Sequence, residues 1–126
     1  AAATVAWFSP AERVYILHVG DTIAWRFDGE KLQRLTVAHG GGKVLHRYVG
    51  QGAAFQIDRF SLDMYEGELL VLATDGVTKA LGDHDVAQVM QALPDPARAA
   101  RDIAERARRR GSQDDITCLV VELEEW

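Results

Sequence analysis

The sequence predicts an α+β fold, antiparallel strands flanked by helices, and three observations predict it. Apolar runs of strand length recur along the chain, among them RVYILHVG at residues 13–20 and ELLVLATD at residues 68–75. Asp28-Gly29 stands between two such runs, the strongest short hairpin signal there is. Near the C-terminus, Asp95-Pro96, apolar residues at helical spacing and then Gly111 mark one long helix from its start to its stop.

The elements follow in order. Thr4 to Phe8 reads as a short strand, and Ser9 to Glu12 is a turn signal. In the next run Val14 and Ile16 lie on one face and Tyr15, Leu17 and Val19 on the other, the pattern of a central strand covered on both sides. TIAWRF sets Ile23, Trp25 and Phe27 against Thr22, Ala24 and Arg26, a half-buried strand. With the segment after Asp28-Gly29, the first third becomes a meander of about four antiparallel strands. HGGGK, from His39 to Lys43, is a flexible loop, and Val44 to Val49 fits either one helical turn or a short strand. Ala54 to Phe60 alternates as a strand, and ELLVLATD is a strongly apolar one. VTKALGD is a short helical turn, and His84 to Leu93 is a helix with Val86, Val89, Met90 and Leu93 inward.

Asp95 suits the N-cap and Pro96 the first position of the last helix, Ala97 to Arg110, which turns Ala100, Ile103, Ala104 and Ala107 to one face. Its RARRR end carries positive charge where the helix dipole favours it, and Gly111 stops it. Ile116 to Leu123 is a closing strand, apolar on both faces. His18 within its strand reads as a core histidine, and Cys118, alternating with Ile116 and Val120, as a buried small hydrophobe.

The totals bound the function. The 126 residues suffice for one domain with a fair core, and 48% hydrophobic with 26% charged residues is ordinary globular composition. A net charge of −5 argues against a nucleic-acid partner, which a basic surface usually serves. No apolar run approaches the roughly 20 residues of a membrane helix, and no signal peptide opens the chain. No membrane partner and a cytoplasmic location are therefore expected. The single Cys118 excludes an internal disulfide and a multi-cysteine zinc site. The chain opens AAATVAWF without methionine, as a fragment or processed product would.

Three places share a design. One apolar run ends at Asp21, another at Asp75, and a third begins just after Asp114 and Asp115. If the last two strands pair antiparallel, Asp75 and Asp114 or Asp115 meet at one sheet edge, and Asp21 joins them if its strand runs in the same direction as that of Asp75. Carboxylates so close repel unless a proton or cation intervenes. Oxygen ligands without thiolates suit Mg²⁺ or Mn²⁺, ions fit for phosphoryl chemistry. Taken singly, each aspartate also reads as an ordinary turn or cap.

The order of these segments resembles the PPM-type metal-dependent protein phosphatases, the protein phosphatase 2C family. RVYILHVGDTIAWRF is similar to the family's strand, Gly-Asp-Ser turn and returning strand, with Thr22 in the serine place. LQRLTVAHG resembles the Leu-Thr-x-Asp-His segment, and VLHRYVGQG the Leu-Thr-Arg-Ala-Leu-Gly segment. LLVLATDGVTKAL resembles the Ser-Asp-Gly block, and GSQDDITCLVVEL the terminal Asp-Asn strand. The resemblance implies an antiparallel β-sandwich flanked by helices around a two-metal centre holding Mg²⁺ or Mn²⁺. It implies hydrolysis of phosphoserine and phosphothreonine in a phosphoprotein substrate by a metal-activated water. Asp75 and Asp114 then match metal-binding aspartates, Asp21 matches one near a third metal position, and Gly76 would permit the tight turn.

The departures also carry meaning. Asp115 replaces an asparagine, and Ala38 replaces the aspartate before His39, which leaves that histidine unsupported. Lys79 stands where many members carry a further acid, so its ammonium would weaken the third position or partly substitute for it. The family's early metal ligand, its Asp-Gly-x-Gly-Gly block, the histidine after it and the upstream phosphate-gripping arginine have no counterpart, and no residue of the chain is assigned a catalytic role. Residues 1–126 are thus expected to form a single partial domain, the C-terminal half, lacking the N-terminal part. A missing N-terminal segment, a partner chain or a homodimer would cover its open sheet edges. His46 and Arg47 fall in the region resembling the family's variable flap. Two other readings stay open: a non-catalytic phosphatase-like binding module, and an unrelated domain whose aspartates close turns.

Overall fold

A computed structural model describes residues 2–37, 57–93 and 95–126, and the backbone of Gly40, Gly41, Val44 and Leu45. Strands β1 (Ala3–Ser9), β2 (Arg13–Val19) and β7 (Asp58–Leu62) form one antiparallel sheet with β2 in the centre. A second sheet has the order β4 (Leu32–Arg34), β3 (Ile23–Phe27), β8 (Leu69–Ala73), β9 (Cys118–Glu122), again antiparallel throughout. Gly40–Gly41 and Val44–Leu45, β5 and β6, pair as a small hairpin. Helices α1 (Asp75–Thr78), α2 (Asp83–Ala92) and α3 (Pro96–Arg109) separate β8 from β9.

The two sheets and the helices form three layers. Val14 and Ile16 of the first sheet meet Leu70 of the second, with Met64 and Leu123, in the space between the sheets. Ile23, Trp25, Phe27, Leu69 and Val71 turn the other way and pack under Val86, Val89, Ile103 and the rest of the helical layer. The central strands of the second sheet, β3 and β8, are therefore covered on both faces. That is why Ala24 is as buried as Trp25, where alternation alone predicts a half-buried strand.

The first sheet is different. β2 is central, and Val14, Ile16 and His18 on its inner face are buried, but on the outer face only Val19 at its end is buried, while Tyr15 and Leu17 are 38% exposed. The expected cover on both sides is not found among the described residues. Neither is the expected four-strand meander. The chain makes two hairpins, β1–β2 and β3–β4, and β2 pairs with β7 rather than β3. Gly20, at a φ of 97°, lies where the chain passes from one sheet to the other. Hydrophobic alternation records that a strand has two faces and not which strand lies beside it.

Local signals held well. Asp28 Oδ1 accepts from the backbone N–H groups of Glu30 and Lys31, both at 2.8 Å, in the predicted hairpin turn. Asp95 caps α3 by accepting from Arg98 N at 3.1 Å, with Pro96 in the first position. Ala99, Ile103 and Ala107 are the fully buried residues of that helix, so its inner face is set one residue from the expected Ala100. Asp85 ties α2 to α3, its Oδ2 accepting from Gly82 N and from the Arg110 guanidinium, each at 2.9 Å. Ala38, His39, His46, Arg47 and residues 54–56 of the expected strand lie outside the described residues.

Candidate functional site

Strand register builds the site. Ala73 at the end of β8 pairs with Ile23 at the start of β3 on one side and with Cys118 at the start of β9 on the other. Asp21, two residues before Ile23, Asp75, two residues after Ala73, and Asp114, just ahead of β9, therefore reach the same end of the sheet. The antiparallel pairing of the last two strands is the one the sequence required for this convergence.

Asp75 and Asp114 meet through a cation of the chain itself. Lys79 Nζ lies 3.1 Å from Asp75 Oδ2 and 2.5 Å from Asp114 Oδ2. Lys79 follows Asp75 by four residues, so one helical turn brings its stem back over that carboxylate. Asp114 Oδ1 accepts from Asp115 N at 2.8 Å, which leaves its other oxygen for the ammonium. The hydrogen bonds from Lys79 and the Asp115 amide hold the Asp114 carboxyl below its usual range. The same two carboxylates hold Lys79 firmly protonated. By the resemblance, Lys79 would weaken the third metal position or partly substitute for it; in the structure its ammonium lies between the carboxylates of Asp75 and Asp114.

Asp21 behaves oppositely. Burial first, then the Asp75 charge and a hydrogen bond with Asp75, raise its pKa above the usual aspartate value. Asp21 is thus brought to Asp75 and keeps its proton more readily than an ordinary aspartate. Asp115 contributes its backbone: its carbonyl accepts from Thr74 Oγ1 at 3.0 Å, and its side chain is exposed.

A backbone clasp holds the two acidic segments together. Thr74 N donates to Thr117 O, and Thr117 N to Thr74 Oγ1, both at 3.0 Å. Ser112 Oγ donates to Gly76 O at 2.7 Å. Gly76 lies in α1 and is not among the positive-φ glycines. Its need is space, not a turn: a Cβ there would fall 2.2 Å from Asp115 O. Beside the site, buried His18 bonds Thr4 Oγ1 through Nδ1 at 2.9 Å and Val37 O through Nε2 at 3.0 Å. Thr4 Oγ1 in turn pairs with Thr22 Oγ1, next to Asp21. His18 is thereby a core residue locking β1 to the turn that carries Asp21. No motif signals Thr4, because single threonines in strands are too common to stand out. Cys118 is partly buried against the helical core, and burial pushes its thiol up to about 12, which disfavours the reactive thiolate.

The donor set is all carboxylate oxygen, the chemistry of Mg²⁺ or Mn²⁺. The charge balance is not that of a preformed metal site, since Lys79 already lies between two of the donors. Among the described residues no three His, Cys, Asp or Glu side chains are spaced to hold a metal ion. The arrangement can hold a cation, and at present it holds an ammonium.

Comparison with known proteins bears on the fold and the family of the chain. The sequence model of the family described as Stage II sporulation protein E (SpoIIE) matches residues 1–124. Protein phosphatase 2C homolog 4 of Schizosaccharomyces pombe is 28% identical over 159 aligned positions, covering 95% of this chain and 41% of its own length. Probable protein phosphatase 2C 41 of Oryza sativa subsp. japonica is 44% identical over 57 residues, covering 45% of this chain and 20% of its own. Among solved structures, the Mycobacterium tuberculosis serine/threonine phosphatase PstP/Ppp superposes with a TM-score of 0.83 at 21% identity, over 98% of this chain and 60% of that one. The phosphatase domain of SpoIIE from Bacillus subtilis superposes with a TM-score of 0.75 at 19% identity, over 99% and 59%. At such identities the two structures establish the fold. The chain spans well under half the length of these curated relatives and about three fifths of these solved chains.

Proposed function

The chain belongs to the SpoIIE family of PPM-type, protein phosphatase 2C-like domains, and we propose that it supplies the C-terminal half of a protein serine/threonine phosphatase domain. One observation carries the reading: Asp21, Asp75 and Asp114 converge on one end of the sandwich in a chain of this family. The complete domain, in this reading, hydrolyses phosphoserine and phosphothreonine esters in a phosphoprotein substrate with Mg²⁺ or Mn²⁺ as cofactor. A bound divalent cation would lower the pKa of a coordinated water and polarise a phosphoryl oxygen. The part of this chain is to offer Asp75 and Asp114 as carboxylate ligands, with Asp21 beside them. The remaining ligands come from the N-terminal half. The catalytic domain of PstP, similar in fold at a TM-score of 0.87, is in complex with two manganese ions, which supports the same class of cofactor.

The outer face of the first sheet supports the idea of a second half. Val5 and Trp7 are 51% and 58% exposed, beside Tyr15 and Leu17, on a face that no described element covers. A missing segment, a partner chain or a second copy would bury it. No helix among the described residues is long and apolar enough to cross a membrane, and we place the phosphatase in the cytoplasm as part of the same reading.

The test is a phosphoserine-peptide assay on the full-length protein that contains this chain. Activity is expected to need Mn²⁺ or Mg²⁺, to stop with chelator, and to fall at least about a hundredfold, near 2.7 kcal/mol in the barrier, in Asp75→Asn and Asp114→Asn. Hydrolysis that survives both chelation and Asp75→Asn would sink the metal-dependent mechanism.

A further inference from the structure

The ion pairs of Lys79 have a consequence for any metal that enters. Its Nζ approaches Asp75 Oδ2 and Asp114 Oδ2 together, and both carboxylates turn one oxygen toward it. The backbone around them is held by the bonds among Thr74, Thr117, Asp115, Gly76 and Ser112, so the two segments that carry the carboxylates stay side by side. Two such anions need a positive charge between them. A divalent ion and an ammonium cannot share that place, because both would sit at contact distance from the same oxygens. The Lys79 side chain is about half exposed, at 48%, on a flexible four-carbon stem, and it can swing out to solvent.

We propose that Lys79 is a tethered counterion: its ammonium holds the place between Asp75 and Asp114 that a divalent cation would take, keeps this end of the sheet together without metal, and must be displaced for a metal to bind. The proposal rests on the reading of Asp75 and Asp114 as metal ligands, but its first test needs no metal and no activity.

In chelator, melting temperatures of the full chain are compared for Asp114→Asn in two backgrounds. With Lys79 present, Asp114→Asn is expected to lower the melting temperature, since it removes a partner of the ammonium. In Lys79→Gln it is expected to raise it, since it removes a carboxylate repelled by Asp75. The same sign in both backgrounds overturns the counterion. Titration with MnCl₂, followed by the electron-spin resonance of free Mn²⁺, tests the competition. Lys79→Gln is expected to bind Mn²⁺ at least roughly tenfold more tightly than the unsubstituted chain. Lys79→Arg, which keeps the charge, is expected to bind it no more tightly than the unsubstituted chain. Equal affinity in the Lys79→Gln and unsubstituted chains overturns the proposal. Should phosphatase activity be absent while this pattern holds, the functional reading falls and the counterion stands.

Discussion

A Cβ on residue 76 would meet the carbonyl oxygen of Asp115 at 2.2 Å and the Ile116 side chain at 3.2 Å. Gly76→Ala must therefore push the start of β9 away from α1. The expected cost is about 1–3 kcal/mol, the range for forcing extra carbon into a packed site, and urea unfolding would measure it. An unchanged midpoint would mean that the loop before β9 yields freely. At the same scale, Asp21 makes a prediction in pH. Burial and the Asp75 charge raise its folded pKa above 3.8, so the folded chain holds this proton more tightly than the unfolded one. Ionising Asp21 therefore costs stability, a cost that grows as pH rises from about 4 and is complete above the raised folded value. Without metal, Asp21→Asn is expected to raise the melting temperature near pH 7, and the gain should vanish near pH 3–4. Asp114 has the opposite sign: its stabilising pair with Lys79 is present above the ordinary aspartate value and is lost as acid protonates it. A gain from Asp21→Asn that does not change with pH would contradict the assignment.

At the scale of elements, α3 shows what short-range signals can carry. Its cap, first-position proline and positive-φ Gly111 all lie within the segment itself, so they were legible before any partner was known. Asp95→Ala is expected to cost about 1 kcal/mol in urea unfolding, the usual value for a lost N-cap oxygen. Arg106→Ala, which breaks a half-exposed four-residue-spaced pair with Asp102, should cost less than about 0.5 kcal/mol. If the two costs were equal, the cap would not be what starts the helix. The strands were legible less completely. Their existence followed from apolar alternation, but β2 and β3 alternate alike and end in different sheets. The outward face of β2 carries Tyr15 and Leu17, which in sequence look no different from buried residues. Exposure there depends on a layer outside the segment, and no periodicity reports it.

Across the whole molecule, the helices cover one side of the sandwich and leave the outer face of the first sheet open among the described residues. Trp7 and Tyr15 stack there with ring centroids 5.4 Å apart, which gathers the exposed apolar area into one patch. Such a patch marks a contact surface. The isolated chain is expected to bind a hydrophobic dye such as ANS at this face, and Trp7→Ser with Leu17→Ser should remove most of that fluorescence with little loss of melting temperature. Dye binding unaltered by the two changes would put the contact surface elsewhere.

The sequence by itself determined the α+β class, the antiparallel strands, the caps and stops of α3, the kinship of the chain and the aspartates worth watching. These depend on neighbours a few residues apart, or on the order of short motifs along the chain. Only the tertiary structure decided that β2 and β3 part into two sheets, that Gly76 is needed for room beneath Asp115, and that Lys79 lies between Asp75 and Asp114. Asp114 stands 35 residues beyond Lys79. Only the register of β8 against β9 brings them within an ion pair's reach, and register is a property of two strands together, which neither carries alone.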